Sequence, residues 1–128
     1  MPRLAAVLET VLYYDNGERD DVERFYADVL GLRRVGGWPD GVAFRLGDGL
    51  LLLFDTAKTS AREDENARHG AAGSLHTCFL AGKEDYDAWK ERVTVLQEVT
   101  WPNGVRSFYF RDPAGNLLEI AEGDLWPE

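Results

Sequence analysis

Apolar and polar positions along this 128-residue chain change period in a fixed order, and the order occurs twice. From Ala5 to Tyr14 they alternate with period two, the mark of a half-buried strand. From Glu18 to Leu30, Val22, Phe25, Tyr26, Val29 and Leu30 recur at helical spacing, so an amphipathic helix is expected, closed by Gly31. Short β-rich runs follow at Leu32 to Gly36, Val42 to Leu46 and Leu50 to Asp55. The order then repeats: a strand from Leu75 to Ala81, a shorter helix marked by Tyr86, Trp89 and Val93, and strands at Val95 to Trp101, Val105 to Arg111 and Leu117 to Glu122.

The repeat is also written in residues. "VLETVLYY" and "SLHTCFLA" share the frame Leu-X-Thr, with Glu9 and His76 at X, and "WPDGV" from Trp38 returns as "WPNGV" from Trp101. The ends realign as "GLLLLFD" over "NLLEIAE", so that Leu52 matches Glu119 at the same 67-residue offset (9 to 76, and 52 to 119). The chain is therefore read as two βαβββ modules in tandem, 1–55 and 74–128, joined by a crossover over 56–73. The crossover has no large apolar residue, cannot pack a core of its own, and is a candidate lid.

One strand breaks its own pattern. Glu119 stands mid-strand among apolar neighbours, and an ionised carboxylate buried there is costly unless it is paired or bound to a metal. "DPAGN" before it is turn chemistry, with Pro113 presetting φ and Gly115 and Asn116 tolerating positive φ. If the two modules pack about a pseudo-twofold axis, the equivalents Glu9, Leu52, His76 and Glu119 converge. Three of these four are metal-ligand types in otherwise apolar strands, which independent accidents would not place on symmetry-related positions. Alternation puts Val7, Glu9 and Val11 on one face, and His76, Cys78 and Leu80 together on another.

The βαβββ duplication, Glu9 and His76 in matching strands, and "SFYFRDPAGNLLEI" ending on Glu119 resemble the vicinal oxygen chelate superfamily, also called the glyoxalase, bleomycin-resistance and extradiol-dioxygenase superfamily. The resemblance spans nearly the whole chain. It implies an α+β fold in which the modules form a cupped, mixed half-barrel sheet. It also implies a divalent metal held by Glu9, His76 and Glu119, with a bidentate oxygen substrate at the open positions. The family's glyoxalase I enzymes use four protein ligands, and the matching fourth position here is Leu52. Extradiol dioxygenases and fosfomycin-resistance thiol transferases present two histidines and one glutamate, and Glu9 replaces the first histidine. Two carboxylates and an imidazole favour Mn²⁺, Fe²⁺ or Zn²⁺, with Ni²⁺ also open. The resemblance further implies a homodimer, with the cup formed within one chain or shared between subunits.

Ser107 and Tyr109 share a face of the strand before Glu119, in a string similar to one whose serine and tyrosine line the thiol transferases' substrate pocket; a tyrosine packed on a sheet face is the plain alternative. His69, in the crossover, is a candidate general acid or base if that segment folds over the cup, against a solvated loop histidine. Cys78 is expected to be a small buried hydrophobe. Arg45, Arg106 and Arg111 are candidate partners for an anionic substrate or for Glu119. Trp38 and Trp101, at equivalent positions, are expected to share a packing role.

Composition then narrows the function classes. A formal charge of −9 lacks the clustered cations that phosphate backbones require, which excludes nucleic acid as a partner. No apolar run approaches the ~20 residues of a membrane span, and the first residues lack signal-peptide layout, so a cytoplasmic protein is expected. One cysteine rules out an intrachain disulfide framework. Two functions compete: a metal-dependent lyase, isomerase or dioxygenase acting on a small oxygenated molecule, and a metal-free drug-binding protein of the bleomycin-resistance type, for which the acidic balance would suit a cationic ligand.

Overall fold

The computed structural model describes residues 1–15 and 17–126. They fall into two compact units, 1–72 and 73–128, taken here in turn.

In the first unit β1 (Glu9–Tyr14) leads to α1 (Arg19–Arg24), then β2 (Arg33–Trp38), β3 (Gly41–Leu46) and β4 (Gly49–Asp55). The strands form one sheet in the order β1-β4-β3-β2, with β1 parallel to β4 and the other pairs antiparallel. The helix continues as one wide π turn over Phe25–Val29, with Leu30 N–H bonded to the Phe25 carbonyl. That turn carries Tyr26 and Leu30 onto the same buried side as Val22. Gly31, at φ +69°, ends it in a conformation that costs glycine little. Leu12, Tyr14, Val42, Phe44, Leu51 and Leu53 supply the rest of this core, and the rings of Tyr26 and Phe44 lie 5.9 Å apart.

Strand β1 starts at Glu9 rather than Ala5, because a strand needs a ladder partner. Its neighbour β4 begins only at Gly49, and the bond from Leu50 N–H to the Leu8 carbonyl is the last rung. Residues 1–8 overhang the sheet and are exposed.

The crossover is more structured than its composition suggested. Asp55 caps a short helix α2 (Thr56–Ser60) by accepting from the Ala57 and Lys58 amides, and Thr59 is fully buried. Polar residues build this piece through hydrogen bonds: the Thr59 carbonyl accepts from the His69 amide, and Thr56 Oγ1 donates to the Ala71 carbonyl.

In the second unit β5 (His76–Leu80), α3 (Tyr86–Arg92), β6 (Gln97–Thr100), β7 (Arg106–Arg111) and β8 (Leu117–Ala121) repeat the plan, in the order β5-β8-β7-β6. Its core is Tyr86 with Phe108, Phe110, Leu118 and Ile120. The Tyr86 hydroxyl donates to Glu98, which also pairs with Lys90 at 2.7 Å. Val93 lies just past the helix, in extended conformation.

Candidate metal centre

The turn over residues 112–116 builds the site. Asp112 Oδ1 accepts from the amides of Ala114 and Asn116, Oδ2 accepts from Asn116 Nδ2, and Gly115 takes φ +87°; Asn116 itself needs no positive φ. Asn116 Oδ1 then accepts from Leu75 N–H, and Leu117 N–H bonds to the Leu75 carbonyl. This one turn thereby sets the parallel register of β5 and β8, in which His76 lies opposite Leu117 and Cys78 opposite Glu119.

That register brings His76 to Glu119. His76 Nδ1 is 2.8 Å from the Leu117 carbonyl oxygen, which only accepts, so Nδ1 carries the proton and the ring is oriented by backbone. Nε2 then faces Glu119 Oε1 at 3.2 Å. For a neutral imidazole that is lone pair against lone pair, a contact that becomes favourable when a cation lies between the two, either a proton or a metal. Two donors each about 2.1 Å from one metal are separated by about this distance. Glu119 is 4% exposed and its Oε2 is buried without a hydrogen-bond partner, an orphan that a cation would satisfy. The donor set and the orphan oxygen both fit a divalent metal.

The surroundings share this sheet face. Tyr109 pairs in register with Glu119, its ring centroid lies 6.0 Å from that of His76, and burial, then the Glu119 carboxylate, raise its phenol above the ordinary value. Ser107 is buried and accepts from Trp101 Nε1 at 2.8 Å. Cys78 corrects expectation: the residue is exposed, on an edge strand, though its thiol is desolvated and, with Glu119 beside it, pushed up to about 12. It is no ready nucleophile. Two of the three candidate arginines are engaged elsewhere. Arg106 forks onto Glu122, with its cation 4.6 Å over the Tyr86 ring, and Arg111 donates to Ser74 and to the Gly115 carbonyl. The equivalent tryptophans have diverged, since Trp38 is exposed while Trp101 is tied to Ser107.

In the first unit Glu9 is exposed at the start of β1, and alternation puts it on the face of Val11 and Tyr13. Leu52, at the fourth equivalent position, is a buried apolar residue. The crossover folds back onto this face: His69 Nδ1 lies 2.6 Å from Tyr13 Oη, His69 Nε2 lies 3.3 Å from Arg62 Nη1, and the ring packs edge-on to Phe54. A guanidinium only donates, so Nε2 accepts, and Nδ1–H donates to the phenol oxygen. Arg62 is in turn held by Asp40 at 2.6 Å, and its hydrogen bonds and charge keep that carboxyl below its usual range. Sequence carried no sign of this network, because it depends on a loop returning to its own sheet. Among the described residues of one chain, no group of three His, Cys, Asp or Glu is placed to hold a metal ion.

Comparison with known proteins agrees with this architecture. Residues 17–120 match the family model of the Glyoxalase/Bleomycin resistance protein/Dioxygenase superfamily, and the chain belongs to that family. It is similar to a solved lactoylglutathione lyase from Agrobacterium tumefaciens, at 43% identity and TM-score 0.89, covering 99% of this chain and 100% of that one. It is also similar to the glutathione transferase FosA of Serratia marcescens, 28% identical over 105 residues, which are 79% of this chain and 70% of that protein. A glyoxalase-related enzyme from Fulvimarina pelagi, 20% identical with TM-score 0.75 over 97% of this chain and 92% of that one, shares the fold. No helix among the described residues is long and apolar enough to cross a membrane.

Proposed function

We propose that this protein is a divalent-metal-dependent enzyme of the vicinal oxygen chelate type, acting on a small oxygenated molecule that chelates the metal through two oxygens. The observation that carries the reading is the His76–Glu119 pair: an imidazole whose tautomer the Leu117 carbonyl dictates, 3.2 Å from a buried carboxylate with one unpartnered oxygen. A bound divalent metal would act as a Lewis acid, polarising an oxygen of the substrate. His76 and Glu119 hold it, and Glu9 is the third ligand. Glu9 comes from the same chain or, in a homodimer, from a second copy. Tyr109, kept protonated by burial and by Glu119, donates a hydrogen bond to substrate, and the buried Ser107 shapes the same face. The relatives' names, a lactoylglutathione lyase and a glutathione transferase, support chemistry on a glutathione-linked or glutathione-accepting substrate. Leu52 in the fourth equivalent position favours a three-ligand centre over a four-ligand one.

Elemental analysis of protein purified without chelator tests the reading, with His76→Ala as control. About one metal per chain is expected in the wild type and a marked loss in the variant. Equal content in the two would refute it.

A further inference from the structure

Four residues, one from each strand, form a row across the sheet of the first unit, and Glu9 is only its first member. Register places Glu9 beside Leu50, Leu50 beside Arg45, and Arg45 beside Arg33. Residues directly paired across a sheet stand on one face, so all four share the face of Val11, Leu52 and Ala43, opposite the helix and its core. Strand spacing puts Arg45 about 10 Å and Arg33 about 14 Å from Glu9 along the row. Leu50, half-buried, is the apolar step between.

The two arginines are at odds with their surroundings. Like charges directly opposite one another on neighbouring strands repel, in a chain that holds 23 acidic residues against 14 lysines and arginines. Among the described residues, neither Arg33 nor Arg45 makes an ion pair or a side-chain hydrogen bond. Arg34, between them in sequence and in register with buried Phe44 on the helix face, pairs with Glu23 at 3.3 Å. Neutralisation was therefore within reach on one face of β2 and is missing from the other. The far end of the same sheet face is closed, because His69 is bonded to Tyr13 and packs on Phe54, which are paired neighbours on β1 and β4. The row from Glu9 to Arg33 lies beyond that cover, with both its ends exposed.

We infer that Arg33 and Arg45 form an oxyanion subsite, which takes an acidic group of the same small molecule whose other end lies at Glu9, with Leu50 beneath the segment between. The inference rests on the proposed metal site for its orientation, and it adds a substrate class: a chelating head and, roughly 10 Å away at this strand spacing, a carboxylate or a phosphoryl-type group. Guanidinium forks suit either, since each offers paired N–H donors to two oxygens of one anion. An anion held between the two arginines replaces one repulsion by two attractions. It therefore stabilises the folded chain as it binds.

Metal-free protein, stripped with chelator, tests the subsite apart from the metal. Glutarate and inorganic phosphate are each titrated into the isotope-labelled full chain at low salt, where exposed charges are least screened, and amide resonances are followed by NMR. Saturable shifts centred on Arg33, Arg45 and Leu50 are expected, with binding about fivefold weaker or more in the double variant Arg33→Gln/Arg45→Gln. Arg34→Gln, on the opposite face of the same strand, should bind as wild type does, which separates a local site from bulk charge. The tighter probe names the acidic group: glutarate a carboxylate, phosphate a phosphoryl class. The double variant has lost a like-charge pair and should melt no lower than wild type. No saturable binding of either probe, equal affinity in wild type and double variant, or a double variant that melts lower would overturn the inference. Mn²⁺ titration of the same samples keeps the two ideas apart: anion binding by a protein that takes no Mn²⁺ upholds the subsite and refutes the metal reading, whereas Mn²⁺ bound without anion binding does the reverse.

Discussion

Leu52 and Glu119 occupy the same place in two modules of the same topology, each buried on the strand between the first and third of its sheet, at 6% and 4% exposure. One is an ordinary core residue, and the other is a carboxylate with an orphaned oxygen beside an oriented histidine. Glu9 and His76 are likewise equivalent, both exposed on the first strand, but only His76 has a carboxylate at hand. The first module uses its corresponding sheet face differently, packing its own crossover there through Tyr13, His69 and Arg62. Duplication thus supplied two backbones of one plan, and single side chains gave the second an imidazole–carboxylate pair that the first lacks.

Exchanging the two residues breaks the comparison most sharply. Glu119→Leu should lower metal affinity at least about 100-fold by equilibrium dialysis, and should leave the metal-free protein as stable as wild type or more so, because an unsatisfied buried carboxylate is gone. A variant that keeps its metal would show that the second module is not the binding half. The reverse change, Leu52→Glu, should cost about 2 kcal/mol or more in denaturant titrations of metal-free protein, since no partner awaits the carboxylate there. His69→Ala should cost about 1 kcal/mol by removing the links to Tyr13 and Arg62. It should also speed amide exchange in 61–73 and leave metal content unchanged; a loss of kcat with metal and KM intact would make His69 a proton carrier as well.

Acid should distinguish the modules more gently. Asp40 in the first, and Glu98 and Glu122 in the second, are all held below the ordinary carboxylate value, chiefly by hydrogen bonds from Arg62, Lys90 and Arg106 respectively. A depressed folded value means stability present above the unfolded value, near 4, and lost as pH falls through the folded one. Amide exchange followed below about pH 4 should therefore rise first in the second module, which has two such carboxylates against one. Simultaneous opening would show that the modules unfold as one unit.

Sequence by itself determined the duplication, the two βαβββ plans, the turn at 112–116 and the isolation of Glu119, because each is written in local periodicity, turn chemistry or a residue out of keeping with its strand. Tertiary structure decided everything that depended on a distant neighbour. Strand β1 begins at Glu9 because β4 begins at Gly49. Arg106 belongs to Glu122, and the polar crossover folds back onto Tyr13 and Phe54, because side chains separated by tens of residues satisfy one another there. Cys78 is exposed because β5 is an edge strand, and strand order leaves no trace in the alternation of a single strand. Even the histidine of the candidate centre owes its useful nitrogen to a backbone carbonyl 41 residues away, since a tautomer is set by whatever the fold brings within hydrogen-bond reach.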